Sequence, residues 1–128
     1  MASLHLASTE KTPEVLFDTL NGSFQLKGCS IHENAERFFR PLLSMVEGYI
    51  EDPAPETVVK LSLTYFNSSS SKYILDLLKL LDEIHFSGKG KVRMEWHYEQ
   101  EDLDMQEAGQ DYRSLLEMPV KLVCNPTR

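Results

Sequence analysis

The sequence predicts a mixed α/β fold: a four- to five-stranded sheet with helices packed mainly on one face. Three observations carry this. Runs with apolar and polar residues alternating, at 15–19, 24–26, 57–66 and 91–98, read as strands. Longer runs with apolar residues recurring at three and four separate them and read as helices. The resulting order, β-β-α-β-α-β-α-β, contains strand–helix–strand units whose right-handed crossovers make the sheet partly parallel. The 128 residues suit a single domain over 1–128, since domains run to roughly 100–200 residues. A core of that size needs no metal or disulfide to fold.

Each element has its own signature. Residues 15–19 form a strand, and residues 4–6 offer a short one before it. Asn21-Gly22 then marks a hairpin turn, because both residues tolerate positive φ, and Phe24 and Leu26 lie in the return strand. Over 33–51 the period becomes helical, with Phe38, Phe39, Leu42, Leu43, Val46, Tyr49 and Ile50 on one face and Ser30 or Asn34 as N-cap. Pro41 removes a backbone donor there and predicts a kink or a late start. Residues 52–56, Asp-Pro-Ala-Pro-Glu, end the helix in a stiff loop.

Residues 57–66 form a strong strand, with Val59, Leu61, Leu63 and Tyr65 facing one way and Val58, Lys60, Ser62, Thr64 and Phe66 the other. A helix over 69–86 carries the stripe Tyr73, Ile74, Leu77, Leu78, Leu81 and Ile84, and Ser87-Gly-Lys-Gly90 stops it. In the strand at 91–98, Val92, Met94, Trp96 and Tyr98 share a face. A polar helix over 103–116 follows, capped by Asp102 or Asp104, and Pro119 opens a last strand with Val120, Leu122 and Cys124.

Charge and composition narrow the function. Thirteen basic against twenty acidic side chains give a net charge of −7. This argues against nucleic acid or an anionic membrane as main partner, because neutralising phosphates takes clustered Lys and Arg, though it leaves room for a small basic site. The first ten residues lack the basic and apolar regions of a signal peptide. The most apolar stretch, 73–81, is broken by Asp76 and Lys79 and is far short of the about 20 residues that span a bilayer. A cytoplasmic location without direct membrane insertion is expected.

No cofactor is expected either. Cys29 and Cys124 lie far apart in apolar surroundings and read as inert buried thiols. His5, His32, His85 and His97 have no ligand spacing, and His97 reads as a partly buried structural histidine or a surface contact. The acidic run at 99–104 lacks the glycine and ligand spacing of a calcium loop. No catalytic set can be argued from spacing, so the chain is expected not to be an enzyme.

The most informative stretch is Tyr65-Phe-Asn-Ser-Ser-Ser-Ser-Lys-Tyr73, where a central strand meets a helix. Free N–H groups and the positive end of the dipole point out of such a helix start. A phosphate there would be stabilised by those N–H groups, and phosphorylation would change the surface charge sharply while keeping the fold. The plainer reading is that Asn and Ser only cap the helix. Asp76, Asp82 and Glu83, on the polar side of this helix, read as a solvated face or as an acidic rim that a kinase or partner senses by charge.

This stretch resembles the phosphorylatable loop of STAS-type (SpoIIAA-like) anti-sigma-factor antagonists, and more closely that of the SiaC family of regulatory phosphoproteins. The resemblance spans nearly the whole chain. It rests on Thr12-Pro13, Glu33-Asn34, Leu63-Thr-Tyr-Phe-Asn-Ser-Ser-Ser-Ser-Lys72, Leu77-Leu-Lys-Leu-Leu-Asp-Glu83, Trp96-His-Tyr98 and Asp102-Leu-Asp-Met-Gln-Glu-Ala-Gly109, in this order. The acceptor position, often Thr in the family, is Ser68, and His32 stands where a Pro is common.

The resemblance implies a STAS-like fold and a partner-switching role. A SiaB-like histidine-kinase-type protein kinase would phosphorylate the residue after the loop Asn, and a SiaA-like PP2C phosphatase would remove the phosphate. The unphosphorylated form would bind and activate a SiaD-like diguanylate cyclase, or another effector, raising cyclic di-GMP and promoting biofilm or aggregation. The implied acceptor is Ser68, with Ser69 or Ser70 as substitutes. The implied partner contacts are Asn67, Ser68, Ser69, Lys72, Tyr73 and Asp76. The alternative is a STAS-like module that senses a small ligand, a nucleotide or a lipid, at the same junction. Such a module should show a convergent apolar pocket near Ser68.

Overall fold

The computed structural model describes residues 3–126. Six strands and three helices follow one another: β1 (Ser3–Leu6), β2 (Glu14–Asp18), β3 (Ser23–Ser30), α1 (Ala35–Tyr49), β4 (Glu56–Phe66), α2 (Ser68–Ser87), β5 (Lys91–Glu99), α3 (Leu103–Leu115) and β6 (Val120–Asn125). The spatial order of the strands is the chain order. β1, β2 and β3 pair antiparallel, and β3, β4, β5 and β6 pair parallel. The sheet has six strands rather than four or five because residues 3–6 pair with β2 along their whole length, and Leu4 packs against the core.

Three successive right-handed crossovers, each stepping to the next strand, put all three helices on the same face. The register shows it. The cross-strand rows Val15–Leu26–Leu61–Trp96 and Phe17–Phe24–Val59–Met94 are buried throughout. The neighbouring row Leu16–Gln25–Lys60–Glu95–Lys121 faces away from the helices. Parallel strands covered on both faces read as continuous apolar runs; here one face is bare, so alternation survives in β4 and β5.

Two local features depart from simple alternation. The β3–β4 register shifts between Gly28 and Cys29, so that Gly28 faces Leu63 and Cys29 faces Tyr65. This bulge places one extra residue in β4 and turns the side chains beyond it over. Tyr65, expected inside, is 58% exposed. Phe66, expected outside, packs edge-on against Trp96 at 6.2 Å. The β2–β3 turn takes four residues, with the Asp18 carboxylate accepting from Leu20 N, Asn21 N and Asn21 Nδ2. The Asn21 bonds hold that carboxyl below its ordinary range. Gly22 has φ +72°, and a Cβ there would lie 2.5 Å from the Glu56 carbonyl and 2.7 Å from the Tyr49 hydroxyl.

The caps decide the helix starts. Asn34 accepts from Arg37 N and begins α1, whereas Ser30 is the buried last residue of β3. The helix starts six residues before Pro41 and runs unbroken through it. Asp102 accepts from Met105 N and caps α3. Asp82, expected on a solvated face, is buried: its carboxylate accepts from Glu117 N at 3.0 Å and Met118 N at 2.7 Å and so ties the loop after α3 to α2. The thiols also differ from expectation. Cys29 is half-buried and Cys124 is exposed, because β6 is an edge strand with a neighbour on one side only. Among the described residues no helix is long and apolar enough to cross a membrane.

Candidate functional site

The carboxyl ends of the adjacent parallel strands β3 and β4 lie side by side, and Asn67 joins them. Its backbone N–H donates to the Ser30 carbonyl at 3.1 Å, and its side-chain amide donates to the His32 carbonyl at 3.3 Å. Its side-chain oxygen accepts from Ser70 N at 3.0 Å, capping α2, and from the Ser69 hydroxyl at 3.1 Å. Its backbone carbonyl accepts from Ser71 N, opening the helical ladder. One residue thus fixes where β4 stops and where α2 starts.

The four serines that follow have four different environments. Ser68, the first residue of α2, is exposed, and its hydroxyl has no hydrogen-bond partner among the described residues. Ser69 is exposed but bonded to the cap. Ser70 is fully buried, and its hydroxyl has no partner among the described residues. Ser71 is half-buried, with the Tyr112 hydroxyl donating to its carbonyl at 3.0 Å and lying 3.2 Å from its Oγ. Burial pushes the Tyr112 phenol up, so it stays a donor at neutral pH.

The remaining expected contacts run down α2. Lys72 is exposed, and its Nζ lies 5.5 Å above the Tyr73 ring. Tyr73 is half-buried and stacked on Phe39 of α1, 5.7 Å between centroids. Asp76 is half-buried against the groove between α1 and α2. Ser68, Ser69 and Lys72 therefore form an exposed tip, and Tyr73 and Asp76 continue it along the α1 side.

Three participants lie outside the expected set. Ser30 and His32 hold Asn67 through their backbone carbonyls, which carry no signal in sequence. Tyr112 reaches Ser71 from α3, forty-one residues on. The His32 ring is buried, stacked on Phe38 at 4.2 Å and edge-on to Phe39 at 5.4 Å. Its Nε2 has no partner among the described residues, and burial holds its pKa below the ordinary histidine value.

Of the described residues, no group of three His, Cys, Asp or Glu side chains is placed to hold a metal. Two cavities lie away from Ser68. An open one of about 480 Å³ lies where β4 and β5 part, beside Ser62, Thr64, His97 and Asn125. An apolar void of about 20 Å³ lies under α2. His97, as expected, is half-buried, bonded to Glu95 at 2.9 Å and to Asn125 at 3.3 Å.

The model of the SiaC family of regulatory phosphoproteins matches residues 6–124. The chain belongs to the SiaC family. An uncharacterised protein of Pseudomonas aeruginosa strain UCBPP-PA14 is 31% identical over 119 residues, covering 93% of this chain and 94% of that one. Crystalline apo-SiaC from Pseudomonas aeruginosa superposes with a TM-score of 0.89 at 30% identity, covering 96% of this chain and 99% of that one. A chain in the crystal structure of the diguanylate cyclase SiaD in complex with its activator SiaC, also from Pseudomonas aeruginosa, gives 0.88 at 30% identity, over 95% and 99%. The one-faced sheet is therefore that of a SiaC-family fold.

Proposed function

We propose that this SiaC-family protein is a non-enzymatic, single-domain, cytoplasmic regulator that binds an effector through the tip of α2 and is switched off there by phosphorylation of Ser68. The observation that carries the reading is the contrast among the serines: Ser68 alone combines an exposed position with a hydroxyl free of partners among the described residues. Ser69 is tied to the cap, and reaching Ser70 would require the helix start to open. A phosphate on Ser68 would lie beside the first N–H groups of α2, where a dianion is best tolerated.

The effector is a diguanylate cyclase of the SiaD kind, by analogy with the relative crystallised as the activator of SiaD. A SiaB-like kinase and a SiaA-like phosphatase set the phosphorylation level. Contacts to the effector come from Asn67, Ser68, Ser69, Lys72, Tyr73 and Asp76. The small-ligand reading has less support, since Ser68 lines neither of the two cavities described above.

Phosphopeptide mapping of the protein from its host, growing and starved, tests the site. One phosphate on Ser68 whose occupancy changes with condition is the expected result; none in either condition would leave the serines as a helix cap. In parallel, Ser68→Ala is expected to bind the cyclase as wild type does, and Ser68→Asp to bind it at least about tenfold more weakly. Equal binding by Ser68→Asp would argue against a charge-based switch.

A further inference from the structure

A groove runs between α1 and α2 away from the serine tip. Its main part, about 310 Å³, is floored by Leu43 and Leu80 and rimmed by Glu47, Asp76 and Glu83; Lys79 lines it too, and the Arg40 guanidinium interacts electrostatically with Glu47. Both leucines are half-buried on the core, so each offers apolar surface outward. Glu83 also lines a smaller adjoining pocket that carries Glu51. The cation there, Lys89, is engaged with the carbonyls of Ile50 and Glu51 at the end of α1. The groove is thus an apolar floor between carboxylate rims. On α2, Ser69, Tyr73, Asp76, Leu80 and Glu83 recur at three and four, so this side of the helix is one stripe from tip to groove.

We propose that this groove docks an amphipathic basic helix of the effector, its apolar ridge on Leu43 and Leu80 and its Lys or Arg side chains against Glu47, Asp76 and Glu83. The argument is charge complementarity on a helix-shaped surface. Two parallel helices present a furrow into which the ridge of a third packs, and helix-in-groove recognition needs an apolar anchor row with matched flanks. The inference rests on the reading that this protein binds an effector, and it adds where the affinity resides. Asp76 lies eight residues from Ser68 and Glu83 fifteen, or about 12 Å and 22 Å along the helix. Both distances exceed the roughly 8 Å over which salt screens exposed charges at physiological ionic strength. A phosphate on Ser68 therefore acts on the tip and leaves the groove's attraction for a basic helix in place. Groove and tip divide the interface into an anchor and a switch.

The test uses the full chain and a labelled 18-residue helical peptide with leucines along one face and lysines flanking them. Backbone amide shifts are expected to concentrate on α1 and α2 around Leu43, Asp76 and Leu80. The double variant Asp76→Lys/Glu83→Lys should bind the peptide at least about tenfold more weakly. An equal charge change on α3, Glu107→Lys/Asp111→Lys, should stay within about twofold of wild type. Shifts on α3 or on the bare sheet face would overturn the proposal, as would unchanged binding by the groove variant. Capture of the host's full-length diguanylate cyclase separates this from the reading beneath it. If wild type captures the cyclase and the folded groove variant captures it equally, the groove is wrong and the regulatory reading stands. If wild type captures no cyclase, the regulatory reading fails and the peptide titration alone decides the groove.

Discussion

Asn67 carries more of the junction than any other side chain. It caps α2 through its oxygen and ties β4 to the segment after β3 through its amide and backbone N–H. Losing an N-cap costs about 1 kcal/mol, and losing the tie to His32 leaves a half-buried carbonyl unpaired. Asn67→Ala should therefore destabilise the protein by about 2 kcal/mol in urea unfolding. Ser68→Ala, one residue on and exposed, should stay within about 0.5 kcal/mol of wild type. Beside them, His32 makes stability depend on pH. Its folded pKa lies below the unfolded value because burial disfavours the charged ring. The unfolded state then binds more protons between the two pKa values, so stability is complete above about 6.5 and falls as pH drops from there toward the folded pKa. The melting temperature should fall between pH 7.5 and 5, and His32→Phe, which keeps the ring stack on Phe38, should flatten that slope. At this scale the sequence marks Asn67, whose capping role follows from residue type and position, and the exposed serine beside it. It hides Ser30 and His32, whose contributions are backbone carbonyls.

The elements are legible where one face decides them and illegible where a bond from elsewhere does. The alternation of β5 and the apolar stripe of α2 announce themselves because each buries one face against one neighbour. The inversion of Tyr65 and Phe66 does not, since the bulge that causes it lies in the pairing of two strands thirty-six residues apart, near the bond from the Thr64 hydroxyl to the Gly28 carbonyl. Asp82 looks like a surface acid until the loop after α3 folds onto it. The docking of α3 is another such case. Trp96 Nε1 donates to the Met105 carbonyl at 2.9 Å, and a Cβ on Gly109 would lie 2.7 Å from that nitrogen and 2.8 Å from Leu122 Cδ2. Gly109→Ala must push α3 off the sheet or displace the indole. A loss of about 2–3 kcal/mol is expected in chemical unfolding, with reduced amide protection in α3 and at Ser71, which Tyr112 holds.

For the molecule as a whole, switching and stability should move apart. An anion at the first position of α2 meets the positive end of the helix dipole, worth about 0.3–1 kcal/mol at an exposed site. Ser68→Asp should thus melt at or slightly above the wild-type temperature while binding its effector more weakly. A variant that both melts early and binds weakly would point to damage of the fold instead. The same separation is expected for a phosphate on Ser68, the proposed acceptor, because Ser68 is an exposed residue outside the buried rows on which folding depends. The fold class, the apolar faces of the helices and the place of the serine run at the start of α2 are legible from the 128 letters. The α1–α2 groove is not, since it exists only once two helices that start thirty-three residues apart lie side by side.

The sheet order has a consequence for how the chain is made. Every strand is hydrogen-bonded to the strands synthesised just before and just after it, and none is inserted between two earlier ones. The polypeptide leaving the ribosome can therefore add each strand to a growing edge, and each arriving helix covers the core row already laid down. No early strand waits with a vacant slot on its inner side for a distant partner, which is the state in which nascent sheets find wrong partners. Assembly by accretion keeps the pairings local even though the finished sheet is mostly parallel, a class whose long-range pairing otherwise slows folding.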